Sequence, residues 1–276
     1  MIPAKQRLWK RILWGELSWS RLAQSVAFIY GTLLLFAVLG SDRLLFQPHP
    51  SSYAGAPDLL RLATPGGATI AARYLPAPGA DAPYTILYSH GNAEDLGDIT
   101  PLLERLQGSG FAVLAYDYEG YGESEGAPSE ERVIQDINAA YAYLTEQRRV
   151  PPAKIIAYGR SLGGGPAVDL ASRAPIGGLI LESTFTSVFR VVTRVPMFPG
   201  DRFENLEKMA RVTCPVLVMH GRLDALIPLH HGEALLAAAP GPKRSLWVDA
   251  AGHGDLPFVA EAAYDAAITD FARLLR

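Results

Sequence analysis

The sequence predicts an α/β fold: a doubly wound, mostly parallel sheet with a small cap or none, preceded by an N-terminal transmembrane helix. Three observations carry this expectation. Short, near-continuously apolar runs recur along the chain, as parallel strands covered on both faces require. Helix-patterned stretches separate them, which is the alternation of a single doubly wound sheet. Residues 22–40, LAQSVAFIYGTLLLFAVLG, hold no charged side chain.

That front segment comes first in the chain. As a helix, its residues span roughly 28 Å at about 1.5 Å per residue, close to the hydrocarbon thickness of a bilayer. Before it, KQRLWKRILWGELSWSR mixes basic residues with Trp9, Trp14 and Trp19, a composition suited to the headgroup interface. A cleaved signal peptide and a buried core helix are the alternatives. The basic region is long for a signal peptide, and a core helix needs no Trp/Arg/Lys preamble. Five basic residues precede the span against Arg43 just after it, which sets the N-terminus inside and the body on the extracytoplasmic side. Residues 1–43 thus form the anchor, 44–56 a linker rich in Pro and Ser, and 57–276 the folded body.

In the body, ATIAARYL (68–75), YTILYSH (84–90), FAVLAYD (111–117), KIIAYG (154–159), GLILES (178–183), PVLVMHG (215–221) and SLWVDA (245–250) read as strands. Helices are expected at about 99–107, 130–147, 162–173, 229–239 and 257–275. Between GLILES and CPVLVMHG the connection has room for a helix and a loop but not for a large cap.

Composition narrows the function. The chain of 276 residues carries a net charge of −3, but residues 1–43 hold six basic and two acidic side chains, leaving the body at −7. An acidic body argues against a nucleic-acid partner. The single cysteine, Cys214, forms no internal disulfide and reads as a small core residue. No CxxC, HExxH or Walker loop is present, so neither metal nor other cofactor is called for.

Two G-x-S-x-G patterns occur: Gly122–Gly126 around Ser124, and Gly159–Gly163 around Ser161. A nucleophile elbow needs a strand running into the first glycine and a helix leaving after the serine, so that the hydroxyl is lifted at a helix N-terminus. Ser161 meets both conditions. Ser124 sits in a glycine-rich loop between Glu123 and Glu125, whose charges oppose an oxyanion. Ser161 is therefore the nucleophile candidate.

A serine needs a base, and the base needs an acid that fixes its tautomer; in a fold of this kind they follow in the order Ser, Asp or Glu, His. His253, in the small-residue loop DAAGHGDLP after the last strand, is the base. Asp224, just past the strand ending at His220, is the acid; the alternative for it is a turn or capping aspartate. His220 is expected to hold a turn, and His230 and His231 to be exposed at a helix start. Asp201 falls in a surface loop, and Asp249 and Asp255 lie too near His253 in sequence. The backbone N–H groups of Leu162 and Asn92 are the oxyanion donors, with Gly91 allowing the tight turn and His90 shaping the loop.

With these residues in place, HGNAEDLG, DYEGYGESEG, GRSLGGGPA, LESTFTS, CPVLVMHGRLDALIP and GHGD together resemble the α/β-hydrolase superfamily over residues 57–276. They are similar to its membrane-anchored branch, which includes protein depalmitoylases and the bud-emergence-type hydrolases. The resemblance implies Ser161, Asp224 and His253 as the triad and GYGESEG as a loop after a strand. The animal depalmitoylases carry an N-terminal cysteine cluster that this chain lacks; an apolar span stands in its place. The expected function is a membrane-tethered serine hydrolase of esters or thioesters acting on small or acylated lipid-like substrates, with Phe185, Val188, Phe189 and Phe198 as wall residues or simply as packing on the sheet. A peptidase, or a catalytically silent hydrolase fold used for binding, are the alternatives.

Overall fold

A computed structural model describes residues 18–79, 83–193 and 201–275, without the side chains of 33, 36–41, 43–44 and 192–193. The chain divides into two compact units, residues 1–44 and 45–276. In the first, helix α1 runs Trp19–Leu45, 27 residues, so the charge-free stretch is helical. Its Leu22, Val26, Phe28, Ile29 and Leu35 side chains are exposed. Among the described residues no helix is long and apolar enough to cross a membrane. The Trp- and Arg-rich preamble up to residue 17 lies outside the described residues.

The second unit is built on an eight-stranded sheet. Its strands are β1 (Leu60–Ala63), β2 (Thr69–Leu75), β3 (Thr85–Ser89), β4 (Ala112–Tyr116), β5 (Ile155–Arg160), β6 (Gly178–Glu182), β7 (Val216–Gly221) and β8 (Lys243–Val248). Their order is β1-β2-β4-β3-β5-β6-β7-β8. β1 and β2 pair antiparallel, as do β2 and β4, while β3 to β8 are mutually parallel. β1 is absent from the sequence reading because a four-residue strand with a half-exposed pattern leaves little apolar signal. β8 begins two residues earlier than expected, since Lys243 and Arg244 pair with β7 at an exposed edge.

The helices of this unit are α2 (Thr100–Gly108), α3 (Glu130–Ala142), α4 (Gly164–Arg173), α5 (Val188–Thr193), α6 (Asn205–Met209), α7 (His230–Ala238), α8 (Leu256–Ala260) and α9 (Ala262–Leu274). Ser129 caps α3 by accepting the Arg132 amide, with Glu130 and Glu131 in the first turn, where the helix dipole favours them. A single helix was expected over 257–275. It is broken at Glu261, which adopts φ +44° while its carbonyl accepts from Arg105 at 2.6 Å.

Alternate strand residues supply two core layers, because successive side chains point to opposite faces. Leu87, Leu114, Ala157, Leu179, Leu181, Val216 and Val218 pack with residues of α3, α4 and α7. Ile86, Tyr88, Val113, Ile156, Tyr158, Ile180, Leu217 and Met219 pack with residues of α2, α8 and α9. The segment expected as a linker joins the body: Phe46 is buried, and its ring meets Phe203 edge-on at 6.4 Å.

The strand order reverses at β3, which lies between β4 and β5. In open parallel sheets the crevice outside the carboxyl ends at such a switch point is where ligands bind. The loop after β3 and the turn after β5 meet there.

Candidate active site

β5 delivers Arg160 in extended conformation, and Ser161 follows at φ +50°. A non-glycine residue in this left-handed region is strained, as a sharp strand-to-helix turn demands. A short 3₁₀ turn, Ser161–Gly163, then leads into α4, with Pro166 in its first turn. The flanking glycines are sterically required. A Cβ on Gly159 would lie 2.3 Å from the Gly163 carbonyl oxygen, and one on Gly163 would lie 2.0 Å from that of Ser89. Close approach of the turn to the end of β3 is therefore what the pattern encodes.

His253 stands with Nε2 2.9 Å from Ser161 Oγ and Nδ1 2.8 Å from Asp224 Oδ2. A carboxylate only accepts, so Nδ1 carries the proton and the Nε2 lone pair faces the serine hydroxyl. The other Asp224 oxygen accepts the amides of Leu226 at 3.0 Å and Ile227 at 2.7 Å. Burial opposes ionisation of Asp224, but its bonds to His220, His253 and the Ile227 amide outweigh this and hold it well below the usual carboxylate range. Thus the turn-forming alternative for Asp224 and the histidine contact hold together, one through each oxygen. Ser161 is 9% exposed and the His253 side chain 21%, whereas the Asp224 side chain is fully buried.

The loop after β3 passes beside Ser161: a Cβ on Gly91 would lie 3.6 Å from that of Ser161. Asn92 uses its side chain to fix this loop. Its Oδ1 accepts from Tyr121 Oη at 2.6 Å and the Gln47 amide at 3.0 Å, and its Nδ2 donates to the Leu45 carbonyl. Leu162 is the second residue of the 3₁₀ turn, where an N–H has no acceptor within its own helix. His90 is buried against Tyr118 and Tyr121, donates from Nδ1 to the Gly91 carbonyl at 2.7 Å and lies 3.4 Å from Asp117. Burial works against charge on His90, but Asp117 and the Gly91 carbonyl raise it above its ordinary range.

Ser124 Oγ donates to the Asp117 carbonyl and accepts the Ala71 amide, a structural use in the loop after β4. His220 donates from Nε2 to the Ile227 carbonyl at 2.7 Å, holding the Asp224 turn. His231, expected to be exposed, is buried instead, with Nδ1 2.9 Å from Thr186 Oγ1; only His230 is exposed. The first turn of α7 packs under the loop after β6, which buries one member of the pair. Asp249 pairs with Arg222 at the surface, Asp255 accepts the Gly252 amide, and Asp201 accepts that of Phe189. Cys214 is half-buried and burial pushes its thiol up to about 11, a poor nucleophile. Phe185 is buried against Phe203, and Val188 packs on the core; Phe198 lies outside the described residues.

Three residues of the site escaped the sequence reading. Arg160 bonds Glu94 through Nη1, lies 3.4 Å from Glu182 through Nε, and donates to the Gly254 carbonyl at 3.3 Å. Burial works against its charge, but Tyr88, Glu182 and Glu94 more than offset this and hold it above its ordinary range. The signal was a charged residue at the end of each of two adjacent apolar strands, Arg160 and Glu182, with Glu94 in the loop HGNAEDLG.

His49, Asp95 and Asp98 bring three potential ligand atoms within 4.8 Å of one another. Asp95 already accepts from Ser52, Gly97 and Asp98, and His49 bonds Pro50 and Asp98, so the cluster is satisfied by the chain itself. A cavity of about 730 Å³, lined by Tyr74, Tyr84, Arg148, Arg149 and Lys154 among others, opens at the amino ends of β3, β4 and β5, away from Ser161.

A family profile described as serine aminopeptidase S33 matches residues 80–199. The α/β hydrolase domain-containing protein aho-3 of Caenorhabditis elegans is 43% identical over 198 residues, covering 68% of this chain and 57% of that protein. The human α/β hydrolase domain-containing protein 17B is 40% identical over 185 residues, covering 64% of this chain and 62% of that one. An esterase of Pyrococcus furiosus superposes with a TM-score of 0.69 at 16% identity, over 84% of this chain and 97% of that one. This chain has the α/β-hydrolase fold. As an α/β-hydrolase-fold protein it spans about three fifths of the length of these curated relatives (57% and 62%).

Proposed function

We propose that the chain is a membrane-tethered serine hydrolase that cleaves carboxylic esters or thioesters. The observation that carries the reading is the relay Asp224–His253–Ser161, with contacts of 2.8 and 2.9 Å at the carboxyl ends of the strands. His253 takes the Ser161 proton as Oγ attacks the acyl carbonyl, and Asp224 stabilises the imidazolium. The backbone N–H groups of Leu162 and Asn92 receive the oxyanion. His253 then protonates the departing alcohol or thiol, leaving an acyl group on Ser161. Water, deprotonated by His253, releases the acid. The chemistry is complete with these groups.

An acylated, lipid-like substrate fits the tether. What supports the tether is the charge-free stretch 22–40 with its exposed apolar side chains and the basic, Trp-rich residues before it. The excess of basic residues ahead of the stretch puts the body on the extracytoplasmic side. What supports acyl cleavage at a membrane is the similarity to the branch that includes protein depalmitoylases, together with a connection between β6 and β7 that has no room for a large cap.

The family profile's description favours a second reading, a peptidase using the same three residues. One experiment separates them. Fluorophosphonate labelling of the wild type and of Ser161→Ala, followed by a panel of acyl esters, acyl thioesters and aminoacyl amides, is expected to show labelling lost in Ser161→Ala and turnover of esters and thioesters. Turnover of amides alone would favour the peptidase. A wild type that does not label would leave a hydrolase fold used for binding.

A further inference from the structure

Arg160 precedes the nucleophile, yet its side chain is only 13% exposed and reaches three other segments. Nη1 bonds Glu94 Oε1, and the other Glu94 oxygen accepts the Gly91 amide at 2.8 Å, inside the loop that carries Asn92. Nη2 donates to the carbonyl of Gly254, the neighbour of His253, at 3.3 Å. Nε faces Glu182 Oε1 at 3.4 Å, and the other Glu182 oxygen accepts from Tyr158 and from Tyr264 at 3.1 Å. Glu182 ends β6 and is fully buried, so the base of the arrangement is fixed in the core. We propose that Arg160 is a positioning residue, a brace that ties the Gly91–Glu94 loop and the His253 loop to the nucleophile turn.

The physical reason lies in the guanidinium. It is a rigid plane with five donors in fixed directions, so one group can hold acceptors on separate segments at defined angles. Asn92 ties the first loop to Tyr121, Gln47 and Leu45, and Asp224 holds His253, but Arg160 bonds both loops at once. A displacement of about 1 Å between reacting groups costs ~10² in rate. A buried ion pair adds little net stability compared with apolar packing, which makes registration of the loops a better account of this one than stability. The consequence for rate rests on the serine-hydrolase reading; the mechanical coupling of the loops does not.

The test is amide hydrogen exchange on the full chain, with esterase kinetics alongside. Arg160→Lys keeps the charge and loses the fork. It is expected to speed exchange in both 90–94 and 252–255 by about tenfold or more, leaving β3 to β7 as in the wild type. kcat for a p-nitrophenyl acyl ester should fall ~10²-fold with KM within about threefold. Glu94→Gln keeps a carbonyl oxygen for the Gly91 amide and removes the charge facing Arg160, so it should loosen 90–94 while 252–255 exchanges as in the wild type; it keeps the Glu94 arm of the brace testable if Arg160→Lys fails to fold. Wild-type exchange in 90–94 in both variants overturns the brace, as does unchanged kcat in an Arg160→Lys protein whose loops have loosened. A wild type that neither labels with fluorophosphonate nor turns over ester refutes the hydrolase reading instead, and the exchange data then decide the brace alone.

Discussion

Ser124 donates its hydroxyl to the Asp117 carbonyl at 2.9 Å while accepting the Ala71 amide at 2.9 Å. The first G-x-S-x-G of the chain is thereby a staple between β2 and the loop after β4. Its glycines serve the same packing: Gly122 is at φ +50°, and a Cβ there would lie 1.9 Å from Asp117 Oδ2. Ser124→Ala is expected to keep full fluorophosphonate labelling and to lose about 1–3 kcal/mol in urea unfolding, the cost of leaving a buried polar partner unsatisfied. Loss of labelling with stability retained would return Ser124 to the chemistry.

Asp224 is the group to alter next. Asp224→Asn keeps the shape but presents an amide that no longer holds the Nδ1-protonated tautomer of His253, and kcat for ester hydrolysis should fall ~10⁴-fold. Stability moves too. The folded pKa lies below the unfolded one, so the stabilising contribution of Asp224 is full above about pH 4 and lost only as pH falls through the folded value. The variant should be less stable than the wild type at pH 7, and the difference should shrink on acidification. A constant difference down to pH 2 would contradict this.

Asp136 has the opposite sign. Burial pushes its carboxyl up to about 8, opposed by a hydrogen bond from the Glu119 amide and reinforced by the Glu119 charge nearby. Between about pH 4 and 8 the folded state therefore binds more protons than the unfolded one, and stability falls as pH rises through that window. Asp136→Asn should flatten the decline, and melting curves of the two proteins from pH 5 to 9 check it. Parallel declines would mean that another group governs this window.

The elbow offers a steric test. Gly163→Ala places a methyl 2.0 Å from the Ser89 carbonyl oxygen and near that of His90, both backbone atoms with no freedom to retreat. Destabilisation at or above the ~3 kcal/mol that overpacking typically reaches is expected, with labelling lost alongside. A variant folded and labelled like the wild type would show that the turn packs more loosely than its geometry states.

The tether predicts fractionation. Full-length chain should sediment with membranes, and removal of residues 1–43 should release a soluble body that still labels. Protease added to intact cells should reach the body. Full-length chain found in the soluble fraction would remove the tether from the proposal.

Strands β2 to β8, the strand–glycine–serine–helix turn at Ser161 and the strand-end positions of Asp224 and His253 are legible in the sequence, because each rests on a local signal. An apolar run of strand length, a glycine where a Cβ collides, and a serine between strand and helix are all readable within a few residues. The rest depends on segments distant in the chain. The four-residue β1 exists because β2 offers it an edge. His231 is buried because the loop after β6 covers its helix end. Asn92 holds Leu45 and Gln47 across more than forty residues, and Arg160 reaches Glu94, Glu182 and Gly254 at once. Periodicity reports which face of an element is apolar; it carries no information on which distant polar group will meet a given donor. That is settled only when the strands align and bring their loops to the same end of the sheet.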